Sequence, residues 1–355
     1  MHTAVIALTC VAFWTSREVE ARCPVDGERF RATRVEITNT WGGVDYDRCP
    51  HAYYGVPLQF RVWTCPRCRF TASPEDFEHI RPEPHEGRAL TDEQKRAIRE
   101  GLANATGVPP GARQAQIPAD VKFDLWAQTN RILGEPRHKI GMAYLWAAWY
   151  HRQTGALRLR YFDEFDRLWE RYRLNVGPLD YRRMGIWNRT DYDLAKAREI
   201  EQAVAADRHR GVDRVIALYI AGYLYRKHGE NEDALRVLRS IEEEARANSP
   251  IHDNLTAMLA SIERERENQR RALEEYRAGL ETLEPEAQAE VWYMLGELQR
   301  RLGRPEEAVA AFEQVGQIQQ ANEWTRYWAA RQRAAIRGEP LPDPPRPPET
   351  PRTDR

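Results

Sequence analysis

The chain has 355 residues, 42% of them hydrophobic and 11 of them Trp, which is enough for more than one packed domain and too apolar for a disordered protein. Its 53 basic and 54 acidic residues cancel to a formal charge of −1, so no net field draws it to nucleic acid or to an anionic membrane. Nucleic acid is therefore not expected as a partner.

Residues 1–16 contain an apolar run, Thr3 to Trp14, too short to span a bilayer. It reads either as a secretion signal or as a buried apolar segment. No basic residue precedes it after Met1 and His2, and Arg17, Glu18 and Glu20 would crowd a cleavage site, so a cytoplasmic location is favoured over an exported or periplasmic one. Cys10, within the run, follows Ala7-Leu8-Thr9, a weak match to a lipoprotein box.

Residues 17–80 form a cysteine module. Cys23-Pro24, Cys49-Pro50 and Cys65-Pro66-Arg67-Cys68 fall close together, in the spacing of paired metal knuckles. Between them, Arg29 to Thr38 alternates β-branched or aromatic residues with charges and is predicted as a half-buried strand. Leu58 to Trp63 is predicted as a second strand. Ser73-Pro74-Glu75-Asp76 opens a short helix, with serine as cap and carboxylates near the positive end of the dipole. So small a module buries little surface, and a tetrahedral Zn²⁺ would contribute stability directly.

Thiolates at i and i+3 across a tight turn reach one ion, which assigns Cys65 and Cys68 to it. The other half of the site involves Cys23 with either Cys49 or Asp26, which stands three residues after Cys23; Cys49 is favoured because all-thiolate sites are the common structural solution, and His51 is a further candidate. A closed set of four ligands is structural. The competing readings are a thiol–disulfide redox pair at Cys65 and Cys68, or a metal-dependent enzyme.

Cys23-Pro-Val-x-Gly27, Cys49-Pro-x-x-Tyr53 and Val62-Trp-Thr-Cys-Pro-x-Cys-x-Phe70 together resemble a bacterial family, domain of unknown function 2225, whose members often continue into helical repeats. The resemblance covers roughly residues 18–80 and implies a metal-binding, non-catalytic module. The family pattern has Cys where Asp26 stands and Gly where Arg69 follows Cys68. The second departure places a bulky residue at a turn position that favours positive φ.

Residues 81–90 are a linker and Thr91-Asp-Glu-Gln94 is a capping box. Residues 91–210 carry amphipathic helices near 118–133, 137–153, 157–173 and 190–206, and residues 139–173 resemble a degenerate helix pair. Residues 211–338 are similar to tetratricopeptide repeats: Gly222, Gly229 and Ala234 recur as Gly296, Gly303 and Ala308, with Leu238 and Phe312 four places after each alanine. Ala272 and Tyr276 mark a middle copy, in which Glu267 replaces the turn glycine. Asn322 to Ile336 is expected to cover the last repeat. Residues 339–355 are Pro-rich and expected to be disordered.

The fold class is mainly α, a small β-rich zinc-ribbon-like module followed by a tetratricopeptide-like array. The repeat resemblance implies an inner face that carries Tyr219, Tyr223, Arg226 and Lys227 from one repeat and Tyr293, Glu297, Arg300 and Arg301 from another. Aromatic steps with basic residues suit an extended, acidic peptide. No P-loop, Gly-x-Gly-x-x-Gly, His-Glu-x-x-His or Gly-x-Ser-x-Gly occurs, so the chain is expected to be a non-catalytic adaptor that binds another protein.

Overall fold

The structure, a computed structural model, describes residues 15–38, 43–52, 56–109, 111–154, 163–174 and 189–345. The apolar run with Cys10, the motif residue Tyr53, and the end of the Pro-rich tail from residue 346 lie outside the described residues.

The head is built on a three-stranded antiparallel sheet in which β1 (Thr15–Arg22) lies between β2 (Arg29–Ile37) and β5 (Glu78–Arg81). The period-2 pattern of β1 turns Val19 and Ala21 inward against Ala32, Trp63, Phe70 and Phe77, while Glu18, Glu20 and Arg22 take the other face. A two-residue hairpin, β3 (Trp63–Thr64) and β4 (Thr71–Ala72), carries the second Cys-Pro unit.

The strand expected over Leu58 to Trp63 is mostly a 3₁₀ turn, Pro57–Phe60. Pro57 at its first turn fixes φ and supplies no ladder donor, so pairing begins only at Trp63. Likewise the helix expected from Ser73 is a single 3₁₀ turn, Pro74–Asp76, closed by Ser73 N donating to Asp76 Oδ2 at 3.2 Å, after which the chain re-enters the sheet as β5.

The helical part begins with α1 (Asp92–Gly101), where Gln94 N donates to Thr91 Oγ1 at 3.2 Å and Thr91 N to Gln94 Oε1 at 3.0 Å, as the capping box predicts. Ile98 and Leu102 pack into the head's core with Leu125 of α2 (Ala119–Ile132), so the first helices finish the head rather than stand apart from it. There follow α3 (Arg137–Thr154), α4 (Asp163–Arg171), α5 (Arg189–Ala205), α6 (Val212–Lys227), α7 (Asn231–Arg239), the short α8 (Glu242–Ala245), α9 (Ser249–Gly279), α10 (Pro285–Arg301), α11 (Pro305–Gln317) and α12 (Glu323–Arg337).

Two repeat pairs form as the glycine spacing predicts. A Cβ at Gly222 would stand 2.5 Å from Leu238, and one at Gly296 would stand 2.5 Å from Phe312, so each helix pair closes at a point where no side chain fits. Gly229 and Gly303 end the first helices with φ of +71° and +74°.

The middle copy is organised differently. No Gly or Pro interrupts Ile251 to Ala278, and α9 runs straight through Glu267, where a turn was expected. Its partner is α3: a Cβ at Gly141 would lie 3.3 Å from Ala272 O and from Tyr276. Ala272 and Tyr276 thus meet their small residue across 131 positions of sequence, with α4 to α8 inserted between the two helices. Residues 139–173 are correspondingly not a pair, since α3 packs on α9 and α4 on α6. α12 covers α11, capped by Asn322 Oδ1, which accepts from Thr325 N at 2.8 Å, and ended by Gly338 at φ +67°.

Candidate functional site: a cysteine cluster and a filled groove

Cys23 and Cys65 open two knuckles with the same backbone pattern. Gly27 N donates to Cys23 O and Arg69 N to Cys65 O, both at 3.0 Å; Cys23 N donates to Glu28 O at 2.9 Å and Cys65 N to Phe70 O at 2.8 Å. Gly27 and Arg69 take equivalent left-handed conformations, φ +74° and +64°. Arg69 is held there by its guanidinium, whose Nη1 donates to Ala103 O at 3.0 Å and Leu102 O at 3.4 Å at the end of α1. The bulky side chain at that turn therefore leaves the knuckle's hydrogen bonds intact.

Equivalent knuckles place Asp26 where Cys68 stands. Cys23 Sγ and Cys68 Sγ are 3.6 Å apart, Cys65 Sγ is 3.6 Å from Asp26 Oδ1, and the ligand atoms of Cys23, Asp26, Cys65 and Cys68 all lie within 4.8 Å of one another. Backbone amides already point at sulfur, Val25 N to Cys23 Sγ at 3.4 Å and Cys68 N to Cys65 Sγ at 3.5 Å. Aligning Cys23-Pro-Val-Asp-Gly with Cys65-Pro-Arg-Cys-Arg, residue for residue, is the signal that identifies Asp26 from sequence.

Hydrogen bonds from Cys23 and Cys68 hold the Cys65 thiol down to about 4, whereas hydrogen bonding to Cys65 and Cys68, with burial, pushes Cys23 up. One thiolate forms readily and its neighbours resist following it. A divalent cation removes that conflict, because it stabilises all three as thiolates. Burial alone would raise the Asp26 carboxyl, but the Glu28 amide and Arg67 hold it below its usual value, ready as an anionic oxygen ligand. The donor set fits Zn²⁺.

Cys49, favoured from sequence as the fourth ligand, is elsewhere. It is fully buried against the helices, where Gln153 Nε2 donates to its Sγ at 3.3 Å and to Pro50 O at 2.7 Å. The cause is topological: residues 44–51 leave the head and enter the inner face of the helical array. Val44 and Pro50 bridge across this turn, and Asp45 N donates to Cys49 O at 3.0 Å.

Inside the array that turn meets a buried ionic network. Asp47 receives Arg152 Nη2 at 2.6 Å and Trp149 Nε1 at 3.1 Å, with Arg301 Nε at 3.3 Å. Asp45 Oδ2 receives Arg152 Nη1 at 2.8 Å and His51 Nε2 at 2.8 Å; its Oδ1 receives His228 Nδ1 at 2.6 Å. Glu265 of α9 holds the far side of Arg152 at 2.7 Å and also pairs with Arg226. Burial opposes charge on His228, but Asp45 and Asp193 outweigh it and its pKa is raised; burial lowers that of His51.

The residues assigned from sequence to a peptide groove are mostly spent on this network. Arg226 and Arg301 are buried, the first on Glu265 and Ser261, the second on Asp47 and the His228 carbonyl. Tyr293 is buried and donates to Tyr46 O at 2.6 Å, Tyr219 is buried in the core around α6, and Lys227 donates to Asp193 at 2.6 Å. Tyr223 is half-buried against Trp169. Arg300, paired with Glu230 at 2.6 Å, also lines an open cleft. The inner face is thus occupied by Asp45-Tyr46-Asp47 of the same chain, where a peptide of another protein was expected. Sequence reading missed Asp45, Asp47, Arg152 and His228 because their partners are remote in sequence and no local spacing connects them.

Residues 289–322, which span most of α10 and all of α11, match a tetratricopeptide repeat. No curated protein and no solved structure matches the chain. Residues 17–265, from β1 to the Glu265 that clamps Arg152, match the family described as "Uncharacterized protein conserved in bacteria (DUF2225)"; with more than two thirds of its length inside that match, the chain belongs to this family.

Proposed function

We propose that this protein is a non-catalytic protein–protein interaction scaffold whose head is stapled by a structural Zn²⁺ at Cys23, Asp26, Cys65 and Cys68. The observation that carries this reading is the pair of equivalent knuckles: four ligands converge from two closed turns whose amides already support the sulfurs, an arrangement that holds an ion rather than presents it. The tetratricopeptide match supports the interaction half of the reading.

Because the chain's own acidic turn fills the inner face, the partner surface lies beside it. A cleft of about 610 Å³ opens between α5, α10 and α12, lined among others by Asp191, Arg198, Tyr225, Arg300 and Arg331, with Leu341 to Pro344 along its rim. Arg300 and Arg331 there already pair with Glu230 and Asp191, so the cleft offers a peptide mixed charge rather than a basic strip.

Two measurements test the two halves. Replacing Cys65 and Cys68 by Ser should remove one tightly held zinc per chain; a full complement of zinc in that variant would reject the staple, and an oxidised Cys65–Cys68 disulfide with a measurable potential would favour the redox reading instead. A photo-crosslinker placed at Arg198 should trap a protein that the same group at exposed Glu263, on α9, does not. Identical products from both positions would reject the cleft.

A further inference from the structure

A second convergent set of ligands lies in the filled groove, independent of the cysteine cluster. We propose that Asp45, His51 and His228 form a second metal site, which takes one divalent first-row transition ion of the zinc class and fastens the head to the helical array.

The three residues offer one carboxylate oxygen and two ring nitrogens, all within 4.8 Å of one another. They are 3%, 7% and 0% exposed, so this is a dry interior in which polar atoms that converge must be matched by a partner. The rings meet edge to face, 5.5 Å between centroids, with His51 Nε2 and His228 Nδ1 both directed at Asp45. Two imidazoles and one carboxylate are donors for a borderline ion such as Zn²⁺ rather than for Ca²⁺ or Mg²⁺, which take oxygen.

The surroundings are those of a ligand set held in place. His228 Nε2, the nitrogen turned away from the cluster, is 2.8 Å from Asp193 Oδ2, the carboxylate–histidine pairing that fixes the tautomer of metal-bound imidazoles. Arg152 and Thr190 hydrogen-bond the Asp45 carboxylate at 2.8 and 3.3 Å, and so orient the oxygen ligand. His51 N donates to Gly43 O at 2.9 Å and Asp45 N to Cys49 O at 3.0 Å, so both head ligands sit on one closed turn. His228 caps α6, and the next residue must be glycine: a Cβ at Gly229 would lie within 2.3 to 2.7 Å of the Arg301 and Arg152 guanidinium atoms.

Two ligands come from the head and one from the repeat. An ion here would therefore cross-link parts of the chain 177 residues apart, whereas the cysteine site closes only the head.

Metal content of the full chain, purified and then loaded with Co²⁺, tests the proposal. Two ions per chain are expected, falling to one in His51→Gln and also to one in the Cys65→Ser, Cys68→Ser variant. His51 is preferred for substitution because His228 carries more of the packing. Wild-type protein gives the second readout without any mutation. One equivalent of Co²⁺ should raise thiolate-to-metal charge-transfer absorption, and the other should add visible bands with no further charge-transfer intensity. Saturation at one equivalent, or a second ion that His51→Gln retains, would overturn the assignment and leave protons alone bridging Asp45 to the two rings.

Discussion

The head and the helical array use polar residues in opposite ways. In the head, the ligands sit on turns whose geometry is local: Cys23 to Gly27 and Cys65 to Arg69 each fold on hydrogen bonds within six residues. In the array, Arg152, Arg226 and Arg301 are wholly buried and, apart from Glu297 beside Arg301, their acidic partners are remote, Asp47 at 105 residues from Arg152 and Glu265 at 113. A local knuckle can form before the rest of the fold and wait for its ion. The network exists only when the head turn, α3, α6, α9 and α10 are all in place, so it reports the completed structure.

The largest expected effect follows from that difference. Arg152→Leu leaves Asp45, Asp47 and Glu265 buried without their shared cation, and removing one member of such a set costs about 3–5 kcal/mol. Urea denaturation should show this loss as a drop in midpoint, with the cysteine-bound zinc retained if the head folds by itself. Loss of both together would mean that the head has no independent stability, Leu125 of α2, the helix packed on α3, being part of its core. A cost under about 1 kcal/mol would show the network to be solvated and the account of the filled groove to be wrong.

The repeat glycines allow a finer test within the array. Gly296→Ala forces the Phe312 ring from 2.5 Å, and overpacking of this kind costs about 1–3 kcal/mol, less a gain of roughly 0.5–1 kcal/mol from helix propensity. Gly141→Ala meets its neighbours at 3.3 Å instead, where a shift of a few tenths of an ångström suffices, and should be close to neutral. Thermal melts of the two variants should rank in that order. The reverse order would dissolve the likeness between the α3–α9 crossing and the true repeats.

How much of this was legible in the sequence follows the same division. The capping box at Thr91, the glycine pairs at 222 and 296, the strand over β2 and the neighbouring Cys65 and Cys68 all rest on short spacings, and Cys23 joins those two cysteines in one cluster. Cys49 misled because a Cys-Pro unit resembles its neighbours in composition while its backbone leaves the head altogether. Tyr293 and Arg226 misled for a related reason: periodicity places a residue on an inward-facing position and holds no information on whether its partner belongs to the same chain, here the Tyr46 carbonyl and Glu265. Ala272 was placed in a repeat whose other half lies before it in the chain, a connection that only packing reveals.

Within the head, the two knuckles differ in their outer contacts, and that difference is also measurable. Asp26 is steadied by Arg67, whose Nε donates to Oδ2 at 2.9 Å and whose Nη2 donates to the Asp26 carbonyl at 2.6 Å. Loss of such an orienting partner typically lowers metal affinity by about 10–100-fold. Competition of Arg67→Ala against a chromophoric chelator should fall in that range, and affinity equal to the wild type would remove Asp26 from the ligand set. Asp26→Cys, which makes the knuckles alike, should keep the ion of the cysteine cluster.

The smallest effect expected is at Arg69, where two terms nearly cancel. Its left-handed backbone, φ +64°, costs a residue with a Cβ about 1–2 kcal/mol that glycine does not incur, but glycine also loses more freedom on folding, by roughly 0.5–1 kcal/mol. Against the remainder stand the hydrogen bonds from its guanidinium to the Leu102 and Ala103 carbonyls, a cation at the negative end of α1, together about 1 kcal/mol. Arg69→Gly should therefore destabilise by less than about 1 kcal/mol, most visibly at low salt, where the charge is unscreened. A gain in stability at every ionic strength would mean that the arginine does not cap α1, and that the second knuckle holds its turn against the strain through the cysteines alone.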